Sequence, residues 1–315
     1  MSYKLFFFLL AMVAFESQPK MKSATSLQQP AWLGSDNRLT TPEFLWGLTR
    51  VQIEDKTADN QFLLISLTRT DLPRDSNFTH FFLQPTHAPG SAMKQVTLPA
   101  NAQKPRFHPA GKHLFFLQND TLYVLEIATN QIQKTSDFPI NEYFISADGQ
   151  TMVFTKSVKY FQSMREKYAD LGKADAKLFK SLNYRHWDTW RDEFRQNIFV
   201  APFHLGRKLA PGQNLMDGEP YDAQNISCSA NGQMILYDAK KVTPNEQTLG
   251  TNTDVYLYDV NSNKTTNLSD GMLGYDQNAV FTPDGRGVAW NSMATAGYET
   301  DRNRIFFYEL KTGRA

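Results

Sequence analysis

The chain is poor in cysteine: Cys228 stands alone among 315 residues. One thiol forms no internal disulfide and builds no thiolate zinc cluster, so disulfide scaffolds and zinc fingers are excluded. Charge of one sign is also missing. Lys and Arg total 33 against 32 for Asp and Glu, leaving a net charge of +1 without a long single-sign block, so no nucleic-acid footprint is expected. The six histidines, at 80, 87, 108, 113, 186 and 204, make no H-E-x-x-H pattern and flank no cysteine. His108 and His113 come within reach of each other if a turn separates two strands there, but they lack a third ligand, so neither a metal nor a cofactor is expected.

Long hydrophobic runs are scarce as well. The one run, Leu5 to Phe15 after Lys4, matches the length of a signal-peptide h-region and is too short to span a bilayer at about 20 residues. Residues 1–17 are therefore expected to be a secretory signal, although no clean small-x-small cleavage triplet follows Ala14. Export implies a periplasmic or secreted protein with no stable membrane anchor, a compartment compatible with a single cysteine. Asn-x-Ser/Thr triplets at Asn77, Asn119, Asn225, Asn263 and Asn267 matter only in a host that glycosylates.

What is present is a globular composition, with 41% hydrophobic and 21% charged residues, which excludes wholesale disorder and gives one or two domains with a sizeable core. The 23 Phe and 13 Tyr favour strands. From about residue 100 one phrase recurs: Phe107-His-Pro-Ala-Gly111, Ile145-Ser-Ala-Asp-Gly149, Cys228-Ser-Ala-Asn-Gly232 and Phe281-Thr-Pro-Asp-Gly285. Each is followed by a strand-forming run, at 113–117, 151–155, 233–237 and 287–290. Asp-Gly and Asn-Gly supply the positive dihedrals of a tight hairpin turn, so each phrase reads strand, turn, strand. A second run follows, at 121–127, 197–203, 254–260 and 304–310, and three of these lead into a polar turn.

Each full unit is thus a four-stranded meander. The turn glycines stand 38, 83 and 53 residues apart. The first spacing is close to a propeller-blade period of roughly 40 to 50 residues, and the second demands an insertion. A weaker unit spans about 44–98. The expected fold class is all-β: a β-propeller of four-stranded blades, about five present and incomplete, occupying 30–315. A β-sandwich with coincidental turns is the plainer alternative. The insertion, about 157–196, is expected to be helical, because apolar residues at 160, 161, 164, 168 and 171 and again at 178–194 recur at intervals of three and four.

The segments Tyr184-Arg-His-Trp-Asp-Thr-Trp190, Asn197-Ile-Phe-Val-Ala201, Gly218-Glu-Pro-Tyr-Asp222 and Thr251-Asn-Thr-Asp-Val-Tyr-Leu-Tyr-Asp259 have a further meaning. Together with Gly274-Tyr-Asp276 and the run from Phe281 to Glu299, they resemble secreted bacterial peptidases of the prolyl-oligopeptidase family, in the dipeptidyl-peptidase V and acylaminoacyl-peptidase branch. The resemblance covers roughly 30–315. It implies an N-terminal propeller followed by an α/β-hydrolase domain with a Ser, Asp and His triad. Such a hydrolase needs a Gly-x-Ser-x-Gly elbow, and none occurs in this sequence. The hydrolase domain is therefore expected to be absent from this chain, with no catalytic residue here and no turnover by the chain alone.

Two roles remain open. The resemblance implies a substrate-gating module of a serine exopeptidase, whose partners are short peptides and the missing C-terminal hydrolase domain. The alternative is a non-catalytic periplasmic propeller that binds a protein partner. Exposed strand edges make a homo-oligomer a further expectation. In the gating role, Asp188 or Glu193 pairs with a peptide's ammonium group, unless Arg185 or Arg191 neutralises them first. Arg185, His186, Trp187 and Trp190 line a pocket or simply pack. Glu219 and Tyr221 stand in one loop beside Pro220, and Glu299 and Asp301 in another; loops carry binding groups more often than cores do. Asp148, Asn231 and Asp284 are turn residues, and Cys228 is a small buried hydrophobe at a strand start.

Overall fold

The structure is a computed structural model that describes residues 40–313 except positions 89, 174, 175, 181, 183, 187, 244 and 299, and omits the His186 side chain. The expected signal at 1–17, Trp187 and Glu299 thus lie outside the described residues. Two compact units are present: one runs to Asn119 and takes in Tyr123–Gln133, and the other comprises Asp120–Leu122 and the chain from Lys134. No described helix is long and apolar enough to cross a membrane.

A short helix, α1 (Pro42–Gly47), is capped by Thr41, whose Oγ1 accepts from Phe44 N–H. Antiparallel meanders follow in chain order. The first sheet is β1 (Arg50–Lys56), β2 (Phe62–Asp71), β3 (Ser76–Pro85) and β4 (Lys94–Val96); the second is β5 (Gln103–Phe107), β6 (His113–Gln118), β7 (Thr121–Glu126) and β8 (Gln131–Lys134). In the third, β9 (Glu142–Ile145), β10 (Thr151–Lys159), β13 (Phe194–Pro202) and β14 (Gln213–Asn214) pair in that order. The fourth holds β15 (Ala223–Cys228), β16 (Met234–Ala239), β17 (Asp254–Asp259) and β18 (Lys264–Asn267), and the fifth β19 (Asp276–Phe281), β20 (Gly287–Ser292) and β21 (Arg304–Glu309). These are blades of a β-propeller: five among the described residues, four of them four-stranded and one three-stranded. Each predicted strand run falls on one of them.

The recurring turn is built differently from a two-residue hairpin. Only its glycine takes positive φ, +71° at Gly149, +68° at Gly232 and +68° at Gly285. The preceding Asp or Asn instead accepts a backbone N–H two residues on: Gln150 to Asp148 at 3.0 Å, Gln233 to Asn231 at 3.1 Å, Arg286 to Asp284 at 3.1 Å. A hydroxyl two residues before it closes the loop, donating to that side chain and accepting from the first residue of the next strand, as Ser146, Ser229 and Thr282 do. The first blade carries the same device in Thr57-Ala-Asp-Asn60. Thr57 Oγ1 donates to Asp59 at 2.6 Å and accepts from Phe62 N–H at 3.0 Å, while Asn60 replaces glycine at φ +56°.

Within each unit, neighbouring blades bury apolar faces against one another. Within the first unit, Leu64, Phe81 and Leu83 pack with Phe107, Leu114 and Phe116. Within the second, Val153 and Ile198 pack with Ile226, Ile235 and Tyr237, and Leu236 and Val255 pack with Ala279, Val288 and Trp290. Such side chains contribute about 1.5–3 kcal/mol each when fully buried. Cys228 is buried in the first of these second-unit clusters, and it ends β15 rather than beginning a strand.

The insertion is helical over only a short part of its length. Helix α2 (Met164–Lys167) is held by a capping box between Ser163 and Glu166, and one 3₁₀ turn follows at Ala169–Leu171. Beyond it the expected helical face is a hairpin, β11 (Arg185–His186) paired with β12 (Thr189–Trp190). Its aromatic spacing serves cross-strand stacking: Tyr184 and Trp190 stack at 6.1 Å, and Phe179 stacks on Trp190 at 5.9 Å.

Candidate functional site

Strands β10 and β13 pair along nine residues each, from Thr151 with Pro202 to Lys159 with Phe194, whereas β9 pairs only with residues 152–155 of β10. The outer halves of the long strands therefore project as a two-stranded arm, and the insertion hangs from its end. Tyr160 N–H donates to the Glu193 carbonyl at 2.9 Å, which closes the arm.

Three loops meet the arm's base. Tyr160 hydroxyl donates to the Met216 carbonyl at 3.0 Å, and buried Asn197 donates to the Tyr160 hydroxyl at 3.1 Å and to Met216 at 3.0 Å. Asp222 accepts Gln196 N–H at 2.8 Å, and Arg191 donates to Gln247 in the loop before β17. On the same loop as Asp222, Glu219 accepts from Lys241 Nζ, which also donates to the Tyr237 hydroxyl at 3.0 Å and lies 4.4 Å from the Tyr256 ring centre. Tyr237 and Tyr256 stack at 5.3 Å.

The electrostatics of this cluster follow from burial. Burial pushes the Tyr237 phenol above its ordinary pKa against the pull of the Lys241 ammonium, and pushes Tyr256 up further with help from Asp254. Burial works to lower the Lys241 pKa, but Tyr237 and Glu219 outweigh it and the ammonium is held above its usual range. The cluster is thus a closed network, with the Glu219 carboxylate already neutralised by Lys241.

The residues singled out in the sequence divide accordingly. Glu193 is half-buried and lines a cleft of about 830 Å³ between the arm and the insertion. Asp188 is exposed at the tip of the hairpin and accepts from Thr189 Oγ1 at 3.3 Å. Neither Asp188 nor Glu193 pairs with Arg185, Arg191 or any lysine among the described residues. Arg185 lies over the Trp190 ring at 5.3 Å, and His186 is the second residue of β11. Tyr221 packs on the apolar cluster between the third and fourth blades, and Trp190 stacks within the insertion, so both serve packing. Asp301 accepts the N–H groups of Ala294 and Thr295 at 3.0 and 3.1 Å and ties its own loop together.

Sequence reasoning missed Lys241, Tyr160, Asn197 and the Arg191–Arg195 pair. The first three come from separate blades or strand ends, and only the fold brings them to one place. Arg191 and Arg195 were visible as charges, but a helical reading places them on a solvated face.

No family model matches the chain. The dipeptidyl-peptidase 5 of Porphyromonas gingivalis is 32% identical over 289 residues, which is 87% of this chain and 42% of the relative. That of Porphyromonas endodontalis is 30% identical over 293 residues, 88% of this chain and again 42% of the relative. The chain therefore spans less than half the length of these curated relatives. Among solved structures, the uncomplexed Pyrococcus horikoshii acylaminoacyl peptidase is similar in fold, with a TM-score of 0.59 at 14% identity over 83% of this chain and 38% of that one. A structure from a study of two prolyl endopeptidases gives a TM-score of 0.52 at 11% identity over 85% of this chain and 35% of that one. At such identities the likeness shows the fold alone. Similarity along nearly the whole propeller, joined to that shared fold, places the chain with the β-propeller portion of dipeptidyl-peptidase 5-type members of the prolyl-oligopeptidase family.

Proposed function

We propose that this chain is the propeller that admits and orients short peptides for a serine exopeptidase of dipeptidyl or acylaminoacyl type, with the cleaving groups in an α/β-hydrolase domain. The observation that supports this most is the 32% identity to a dipeptidyl-peptidase 5 over 87% of the chain. In this reading the insertion and its arm stand at the entrance and select small, extended peptides. Neither Glu193 nor Asp188 has a cationic partner among the described residues, so either would accept a peptide ammonium in a charge-assisted contact. Glu219 is already occupied by Lys241 and braces the site instead.

The purified 315-residue chain is expected to hydrolyse no dipeptidyl or acylaminoacyl chromogenic substrate. A longer product of the same gene, carrying a Gly-x-Ser-x-Gly elbow, is expected to do so and to lose the activity to a serine-directed inhibitor. Inhibitor-sensitive turnover by the 315-residue chain would overturn the reading, and so would a gene that ends after Ala315 with no hydrolase beside it. That second outcome would favour a propeller that binds a protein partner. Export is part of the proposal: a periplasmic or secreted protein beginning shortly after residue 17 is expected from N-terminal sequencing of the cell fractions.

A further inference from the structure

The cleft in the insertion is lined by six cations, Arg165, Lys167, Lys177, Lys180, Arg191 and Arg195, against two carboxylates, Asp192 and Glu193. Two of the cations are unusual. Arg195 is only 4% exposed, yet among the described residues it makes no ion pair: its Nη1 donates to the carbonyls of Asp192 and Phe194, and its buried Nε has no partner there. Arg191 donates to an uncharged amide, Gln247, and is also outside any ion pair among the described residues. Both line the same cleft, and the Arg191 pKa is lowered first by burial and then by the charge of Arg195, with Asp222 a weaker opposing influence. A buried guanidinium without a carboxylate is costly, and a second, half-buried one on the same cleft adds to the cost, unless an anion completes the site.

The surroundings suit a peptide carboxylate. Phe161 lies 5.1 Å from the Arg195 guanidinium carbon, and Leu178, Phe179 and Leu182 give the cleft apolar walls. The cleft is in the size range of pockets that hold compact organic ligands. Guanidinium forks match carboxylates in two-point geometry.

We propose that Arg191 and Arg195 form a carboxylate subsite, so that this cleft takes short peptides bearing an acidic group. The inference rests on the peptide-gating reading and names the kind of peptide. The source of the carboxylate, an Asp or Glu side chain or a free C-terminus, is separated by the choice of ligands.

The test is calorimetric binding to the 315-residue chain at low and high salt. The ligands are Ala-Ala-Glu-Ala with a free C-terminus, the same peptide amidated, and amidated Ala-Ala-Gln-Ala. At least one carboxylate-bearing peptide is expected to bind tenfold or more tighter than the neutral one, with the preference shrinking in high salt. Arg191→Gln is expected to remove most of that preference while leaving the thermal midpoint nearly unchanged. Lys177→Gln/Lys180→Gln, at exposed lining residues of the cleft, is expected to reduce it only about two- to threefold. If the amidated Glu peptide keeps the advantage, the side chain is the ligand; if only the free-acid form does, the terminus is.

Equal binding of all three peptides overturns the inference and leaves peptide gating standing. Binding of none also overturns it, while turnover by the longer gene product decides the gating reading separately. An Arg191→Gln variant that folds like the parent and keeps the full preference overturns the assignment to this pair.

Discussion

Asp238, on β16, accepts the backbone N–H of Asn278 on the neighbouring blade at 2.7 Å. The same carboxylate oxygen accepts from the Asn225 side chain at 2.7 Å, and Asn225 and Asn278 both stand at bulges with positive φ, +49° and +59°. One acid therefore fixes the bulge of its own blade and the bulge of the next. In the first unit Asp55 plays a similar part, accepting Phe107 N–H from the following blade at 2.8 Å. Bulges bend a strand and sharpen its twist, and here a carboxylate sets where that bend falls.

The position of Asp238 gives a pH signature. Only 2% exposed, it has its pKa raised by burial from 3.8 to about 6, against the pull of its hydrogen bonds. The folded state thus holds a proton that the unfolded chain releases between about pH 4 and 6, so stability falls as pH rises through that window. Such a shift corresponds to at most about 3 kcal/mol. Buried Asp276 is shifted in the same direction, whereas surface acids such as Asp148 and Asp284 are lowered by their turn hydrogen bonds and contribute stability that is lost at lower pH. Urea unfolding at pH 4.5 and 7 is expected to show a smaller pH effect in Asp238→Asn than in the parent. An identical pH dependence in the two proteins would refute the assignment.

The Lys241–Glu219 pair is the most prominent ion pair near the site, but geometry limits its worth. The Lys241 side chain is 16% exposed and Glu219 38%, so solvent screens much of the attraction. A double-mutant cycle with Glu219→Gln and Lys241→Met is expected to give a coupling of about 1 kcal/mol or less. Lys241→Met should be the more disruptive single change, because it also removes the donor to Tyr237 and the cation beside the Tyr256 ring. A coupling of several kcal/mol would mean that the pair sits in a far drier setting than the structure shows.

The strands were legible in the sequence because strand-forming runs bounded by a repeated turn have few alternative readings. The 113–117 and 254–260 runs lie on β6 and β17 almost residue for residue, and the 151–155 run is the first part of β10. The first blade was faint because Asn60 stands where later copies have glycine, although Thr57 and Asp59 preserve the turn's chemistry. Residues 178–194 misled for a physical reason. An aromatic every three or four residues marks a helical face, but Tyr184 and Trp190 also meet across a tight hairpin, and only a pairing partner distinguishes the two. The site was the least legible part: Glu193 and Arg195 gain meaning from the cleft, and Glu219 from Lys241, an ion partner 22 residues away in the chain.

The repeated turn provides an internal control on backbone strain. Gly232 and Gly285 share φ of +68°, so an alanine at either pays the same penalty for a left-handed conformation, about 1 kcal/mol. Their surroundings differ. A Cβ at Gly285 would meet nothing within 4 Å, whereas one at Gly232 would lie 2.6 Å from Thr151 Cβ, at the start of β10 in the preceding blade. Gly285→Ala is therefore expected to lower stability by about 1 kcal/mol, and Gly232→Ala by about 2–4 kcal/mol, because the third and fourth blades must separate to admit the methyl group. Thr151→Ser combined with Gly232→Ala is expected to recover part of the difference, since a smaller side chain facing the turn leaves the blades freer to adjust. Thermal unfolding of the four proteins measures this directly. Equal losses at the two glycines would show that the turns of these blades do not abut, and that the packing assigned between Thr151 and Gly232 is wrong.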